Sequence, residues 1–84
     1  MRHATTQTLE RLEWLLDQLR KKADLTEKKP GTFYRKALAF LHFHEDEDGL
    51  FADVKVGTKF QRHRVSIRAE QSVVLKIVEE QLNS

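Results

Sequence analysis

Alternating apolar and polar residues on either side of an acidic turn constrain the fold of this chain more than any other feature of its sequence. His42 and His44 alternate with apolar residues over residues 41–44, Asp53 and Lys55 do so over residues 52–56, and Glu45-Asp-Glu-Asp-Gly49 lies between the two runs. Alternation with a period of two is typical of β-strands that bury one face, and an Asp-Gly pair between such runs indicates a hairpin. The stretch therefore predicts two antiparallel strands joined by a solvated acidic turn.

The segments around this hairpin complete an α+β pattern. Leucines at three- and four-residue spacing predict a first helix over residues 5–24, and a broad apolar face predicts a second helix over residues 69–82. Residues 25–31 contain Lys29-Pro-Gly31 and are predicted to form a loop. Residues 32–67 are predicted to form a sheet of three or four antiparallel strands. The expected fold is a two-layer helix–meander–helix domain with both helices on one face of the sheet.

Length and composition indicate one small cytoplasmic domain. The chain has 84 residues, and the core of so small a domain is marginal enough that dimerisation would help to stabilise it. It contains no cysteine, which excludes disulfide bonds and thiolate metal sites. The first residues lack the apolar segment of a secretion signal, and no apolar run reaches the roughly 20 residues of a membrane span. We therefore expect a cytoplasmic location and no membrane association.

The second hairpin has a register that its turn predicts. A two-residue turn at Gly57-Thr58 would set Asp53 opposite Arg62 and Phe51 opposite Arg64. Both are favourable cross-strand pairs on one face of the sheet. The opposite face would then form the core, with Leu50, Ala52, Val54, Val56 and Val65.

The register of the first hairpin has two alternatives. A four-residue loop over residues 45–48 sets His42 opposite Asp53, whereas a three-residue loop over residues 46–48 sets it opposite Ala52 and turns it inward. A slip of one residue moves every side chain of a strand to the other face. We favour the first alternative, because it buries no histidine and sets His42 beside a carboxylate.

The favoured register gives the sheet an outer face, opposite the helices, on which aromatic and charged side chains are mixed. Its predicted members are Phe40, His42, His44, Phe51, Asp53, Phe60, Arg62 and Arg64. Trp14 lies on the polar side of the first helix and either forms a further contact site or packs on a loop. Apolar surface rimmed by charge is typical of protein interfaces. The leading prediction is therefore a small non-enzymatic binding module that forms a homodimer or binds a protein partner through this face.

A second function, nucleic-acid binding, is predicted as an alternative from the cations of the same face. Lys55, Arg62 and Arg64 would contact phosphates while neighbouring aromatic rings stack on bases. The net charge of the chain is only +2, which gives no overall electrostatic signature of such a function.

A third function, metal binding, is predicted as an alternative from His42 and His44. Two residues apart on a strand, they lie about 6.5–7 Å apart on one face, which is close enough to share an ion. A third ligand is needed, and Asp53 or Glu45 would supply it. The sequence contains no nucleophile elbow and no Gly-rich loop before a helix, so neither an enzyme nor a cofactor is predicted.

One string of residues also resembles a known family. Phe40-Leu-His-Phe-His-Glu-Asp46, followed by Gly49-Leu50 and Ala52-Asp-Val54, resembles a family of small uncharacterised bacterial proteins. The resemblance extends over about the C-terminal two-thirds of the chain. It implies a bacterial protein, and it implies no activity, because none is assigned to that family.

Overall fold

The computed structural model describes residues 2–3 and 5–83 and has helices on either side, in chain order, of an antiparallel sheet. The strands are β1 (Arg2–His3), β2 (Thr26–Lys29), β3 (Thr32–Arg35), β4 (Leu38–Asp46), β5 (Gly49–Val56) and β6 (Lys59–Arg64). The helices are α1 (Thr6–Glu10), α2 (Glu13–Arg20) and α3 (Arg68–Leu82). The predicted α+β class and the helix–meander–helix order are confirmed. None of the helices in the described part of the chain is long and apolar enough to cross a membrane.

The sheet is a meander with one added strand. Strands β2 to β6 pair in sequence order, each antiparallel to the next. β3 pairs with the first half of β4, and β1 pairs with the second half, where Arg2 lies opposite Glu45 and His3 opposite His44. The described residues therefore form six strands rather than the three or four predicted, with β4 at the centre.

The predicted helix over residues 5–24 is wrong in its continuity and its end. It is interrupted at Arg11 and Leu12, whose N–H groups bond to the carbonyls three residues earlier, at 3.1 and 3.0 Å. This tighter turn separates α1 from α2, and Leu12 within it is fully buried in the core. The last predicted turn is also absent, because α2 ends at Arg20.

The predicted loop over residues 25–31 is wrong as well, because it contains strand β2. This strand has the sequence Thr-Glu-Lys-Lys and pairs with β3, with Glu27 opposite Phe33. It forms an edge of the sheet, and three of its four side chains are exposed. A short charged edge strand has no apolar alternation to reveal it.

Glu27 fastens this edge strand to α2. Its Oε1 accepts a hydrogen bond from Arg20 Nε at 2.7 Å, and its Oε2 accepts from Arg20 Nη2 at 3.1 Å and from Gly31 N at 2.9 Å. The bonds from Arg20, with a smaller contribution from the Gly31 N–H, hold the pKa of Glu27 below its usual value. The carboxylate therefore stabilises the fold only while it is ionised.

We expect Glu27→Gln to lower the free energy of unfolding by about 1 kcal/mol at pH 7, since Arg20 is partly exposed and its charge is screened. Because the folded-state pKa is depressed, this contribution is complete above the unfolded-state value of about 4.3 and is lost as the pH falls through the folded-state value. Urea denaturation at pH 7 and pH 3 measures the difference, with the exposed Glu80→Gln as control. An equal loss at both pH values would contradict this account.

The core forms one apolar cluster between the helices and the inner face of the sheet. Helix α2 packs on α3, and α3 packs on β5 and β6. Its most deeply buried members are Leu12, Leu15, Leu16, Leu19, Phe33, Leu41, Phe43, Leu50, Ala52, Val54, Val65, Val74 and Val78. In β4, Leu41 and Phe43 point into this cluster. His42 and His44, which alternate with them along the strand, therefore point to the outer face.

Candidate metal centre

The pairing of β4 with β5 sets His42 opposite Asp53, which confirms the favoured register. The predicted four-residue loop is wrong, because Asp46 pairs with Gly49 and only two residues form the turn. The Asp46 carboxylate accepts a hydrogen bond from the N–H of Asp48 at 2.8 Å, which closes the turn. Gly49 has a φ of +134°, a conformation that a side chain would strain. The tight turn therefore fixes which side chains meet.

The pairing of β5 with β6 sets Asp53 opposite Arg62, as predicted. The pair is bidentate, with Arg62 Nε donating to Oδ1 at 2.7 Å and Nη2 donating to Oδ2 at 2.8 Å. These hydrogen bonds hold the pKa of Asp53 below its usual value. Asp53 is therefore an ionised carboxylate at neutral pH, although it is only 8% exposed.

Two imidazole nitrogens meet the same carboxylate. His42 Nδ1 lies 2.7 Å from His44 Nε2, His44 Nε2 lies 3.1 Å from Asp53 Oδ2, and His42 Nδ1 lies 3.8 Å from Asp53 Oδ2. The two rings are perpendicular, with centroids 4.7 Å apart. His42, His44 and Asp53, called the ligand triad below, thus converge on one point from two neighbouring strands.

The three converging atoms lie close enough together to share one metal ion, and the two nitrogens 2.7 Å apart would separate slightly in a tetrahedral site. A circle through atoms at these separations has a radius of about 1.9 Å, whereas zinc binds imidazole nitrogen and carboxylate oxygen at about 2.0–2.2 Å. An ion slightly above the plane of the three atoms would therefore reach all of them at bonding distance. Three protein ligands leave the fourth tetrahedral position open to an exchangeable ligand.

Glu45, the other acid considered as a third ligand, does not share this face. It follows His44 directly on β4 and so points to the opposite side of the sheet. Its Oε1 accepts a hydrogen bond from the N–H of Thr5 at 3.4 Å. Of the two acids that the sequence offers, the geometry therefore selects Asp53.

Two residues of β6 flank the triad: Phe60 lies beside His42, and Arg62 lies beside Asp53. The ring of Phe60 is tilted against that of His42, with centroids 5.2 Å apart, and Phe60 is 44% exposed. The side chain of Arg62 is 43% exposed. Sequence alternation assigns Phe60 only to the outer face. The registers of the two hairpins place Arg62 in line with His42 and Asp53, so the ring of Phe60 reaches His42 diagonally across β5.

Phe40 was predicted on the outer face, and this prediction is wrong. On β3, Phe33 lies opposite Leu41 and Tyr34 lies opposite Ala39, so Phe40 is the extra residue of a β-bulge. It is 4% exposed and belongs to the core cluster. The bulge breaks the strict alternation of β4 on which the prediction rested.

The other predicted binding residues lie beside the triad or away from it. Phe51 and Arg64 pair across β5 and β6, with the guanidinium 4.9 Å from the ring centroid. Arg64 also donates to the carbonyl oxygen of Asp48 in the acidic turn. Trp14 is partly buried against the core, and the Arg68 guanidinium at the start of α3 lies 4.2 Å from its ring centroid. Trp14 therefore packs under α3 and is not part of the outer face.

Comparison of the chain with protein-family models, with curated proteins and with solved structures finds no match. The resemblance to a family of small bacterial proteins stays a prediction. Function is therefore inferred from the chemistry of the ligand triad and its surroundings.

Proposed function

We propose that this protein binds a divalent transition-metal ion, zinc foremost, through His42, His44 and Asp53. The observation that carries the proposal is the triangle of two ring nitrogens and one carboxylate oxygen, with sides of 2.7, 3.1 and 3.8 Å. Imidazole suits zinc, copper, nickel and iron, whereas magnesium and calcium prefer sites made of oxygen ligands only. We thus propose metal binding, which the sequence predicted as an alternative, in place of the interaction module that was the leading prediction.

The triad is prepared for an ion before the ion binds. Its members come from the central strand β4 and its neighbour β5, and the bidentate contact with Arg62 fixes the orientation of the Asp53 carboxylate. Such outer partners of a ligand raise metal affinity by holding it in place. The 2.7 Å contact between the imidazole nitrogens of His42 and His44 needs one proton between them. For a metal ion to bond to both nitrogens, that proton would have to move to the other nitrogen of its ring, which leaves two neutral imidazole ligands.

The nucleic-acid alternative has less support from the same contacts. The charge of Arg62 is compensated by Asp53, and Arg64 contacts the ring of Phe51 and the carbonyl of Asp48. Without a bound ion, the cations of this face exceed its carboxylates by only one, which attracts a polyanionic backbone weakly. Metal binding is therefore the function that we propose for this face.

We expect zinc to raise the melting temperature of the metal-free protein by about 10–20 °C at a free concentration of 100 times the dissociation constant. Binding to the folded state alone stabilises it by about 2.7 kcal/mol at that concentration, and each kcal/mol is worth about 4–8 °C for a domain of this size. Calorimetry of chelator-treated protein without a histidine tag measures the shift. Magnesium is the matched control and should leave the melting temperature unchanged. An unchanged melting temperature in excess zinc would refute the proposed function.

A further inference from the structure

The outer face around the ligand triad carries a net positive charge, which a bound metal ion would increase. On β4, β5 and β6, the outer face carries the cations Lys55, Arg62 and Arg64 and the carboxylates Asp46 and Asp53. The cations exceed the carboxylates by one in this part of the sheet. A bound divalent ion with two neutral imidazole ligands would raise the excess to three. Concentrated charge of one sign on a partly buried face attracts a ligand of the opposite sign.

Arg62 lies where it would reach a ligand on the open side of the ion. Its Nη2 is 2.8 Å from Asp53 Oδ2, the oxygen that belongs to the triad. An ion bonded to Oδ2 at about 2.1 Å would lie within about 5 Å of that nitrogen. With a side chain 43% exposed, the guanidinium is accessible to a ligand that arrives from solvent.

A small oxyanion fits both groups at once. One of its oxygens would occupy the fourth position on the ion, and a second would accept a hydrogen bond from the guanidinium, whose planar geometry suits carboxylate and phosphate groups. Phe60 closes the side beyond His42 with an apolar ring, which favours a ligand that enters from the Arg62 side. An ion held by the triad alone would take a water molecule as its fourth ligand. The adjoining guanidinium of Arg62 is therefore what favours an anion in that position.

We infer that the metal-loaded site binds a carboxylate or phosphate group, held jointly by the ion at the ligand triad and by Arg62. This inference rests on the proposed metal binding. It names the chemical class of the exchangeable ligand, which the triad by itself does not.

Binding of cobalt in place of zinc tests metal binding and anion binding separately. Co²⁺ in a tetrahedral His-His-Asp site absorbs visible light, and the spectrum changes when the exchangeable ligand is replaced. We expect acetate, phosphate or both to change the spectrum of the cobalt-loaded protein, and the change should level off as the anion concentration rises. The response to each distinguishes a preference for carboxylate from one for phosphate, and either supports the inference. Chloride at the same concentration should produce no comparable change.

Two variants assign the role of Arg62. We expect Arg62→Gln, compared at full cobalt occupancy, to weaken anion binding about tenfold or more. Lys59→Gln removes the same charge from the same strand, but its position in β6 directs it to the other face, so its anion affinity should stay within about twofold of the wild type. Equal weakening in both variants would overturn a specific role for Arg62. Cobalt binding with no response to acetate or phosphate would overturn the inference and leave the metal site standing, whereas absence of a cobalt spectrum would overturn both.

Discussion

Replacement of both His42 and His44 by alanine is expected to abolish stabilisation by zinc and to leave the fold intact. The double variant removes two of the three ligands of the triad, which should weaken zinc binding by well over 100-fold, since loss of an outer partner alone costs about 10–100-fold. Both side chains point to the outer face and contribute nothing to the apolar core cluster. The metal-free variant should therefore unfold cooperatively, and calorimetry with and without zinc should give the same melting temperature.

His63→Ala is the matched control for this experiment. His63 lies on β6 opposite Ala52, a residue of the inner face, and so it points away from the triad. Its replacement should leave the zinc-induced shift at its wild-type size. If the double variant kept the full shift while His63→Ala lost it, zinc would bind elsewhere and the proposed site would be wrong.

Phe43→Ala is expected to have the largest effect on stability, about 3–5 kcal/mol. Phe43 lies between the two histidines on β4 but points to the opposite face, where it is 2% exposed in the core cluster. Its removal would leave a cavity that the surrounding leucines fill only in part. For a small domain, such a loss is a large fraction of the total free energy of unfolding.

Phe60→Ala makes the comparison quantitative, because it deletes the same atoms from a side chain that is 44% exposed. We expect it to cost about 1 kcal/mol or less. Urea denaturation of both variants gives the two free energies of unfolding. Similar losses for Phe43→Ala and Phe60→Ala would show that the inner and outer faces of the sheet are assigned wrongly.

The parts of the fold that were predictable have a local signal in the chain. Alternation and the turn-forming pairs Asp48-Gly49 and Gly57-Thr58 indicated both hairpins, and the preference for an unburied His42 indicated its pairing with Asp53. The strand β2 could not be predicted, because a charged edge strand is held by tertiary contacts such as that of Glu27 with Arg20.

The turn between β3 and β4 shows why other features escape local reasoning. Lys36 and Ala37 have φ values of 52° and 68°, a region that glycine and asparagine occupy far more readily. Nothing in these residue types marks a turn, and the pairing of the flanking strands must impose it. The bulge at Phe40 has the same origin, since packing in the core decides which residue is extra. Prediction of the site therefore succeeded only where the strand pairing is regular, as it is for His42, Asp53 and Arg62.

The short turn at residues 47–48 has a consequence for how the protein reaches its native state. All three ligands of the triad lie between His42 and Asp53, on strands that this turn joins directly. Closing so short a loop costs little entropy, and hairpins form within about 1–10 μs. An ion could therefore bind as soon as this hairpin closes, before α3 docks on the sheet. In that case metal would lower the barrier to folding as well as stabilise the product, so the chain would fold faster when metal is present.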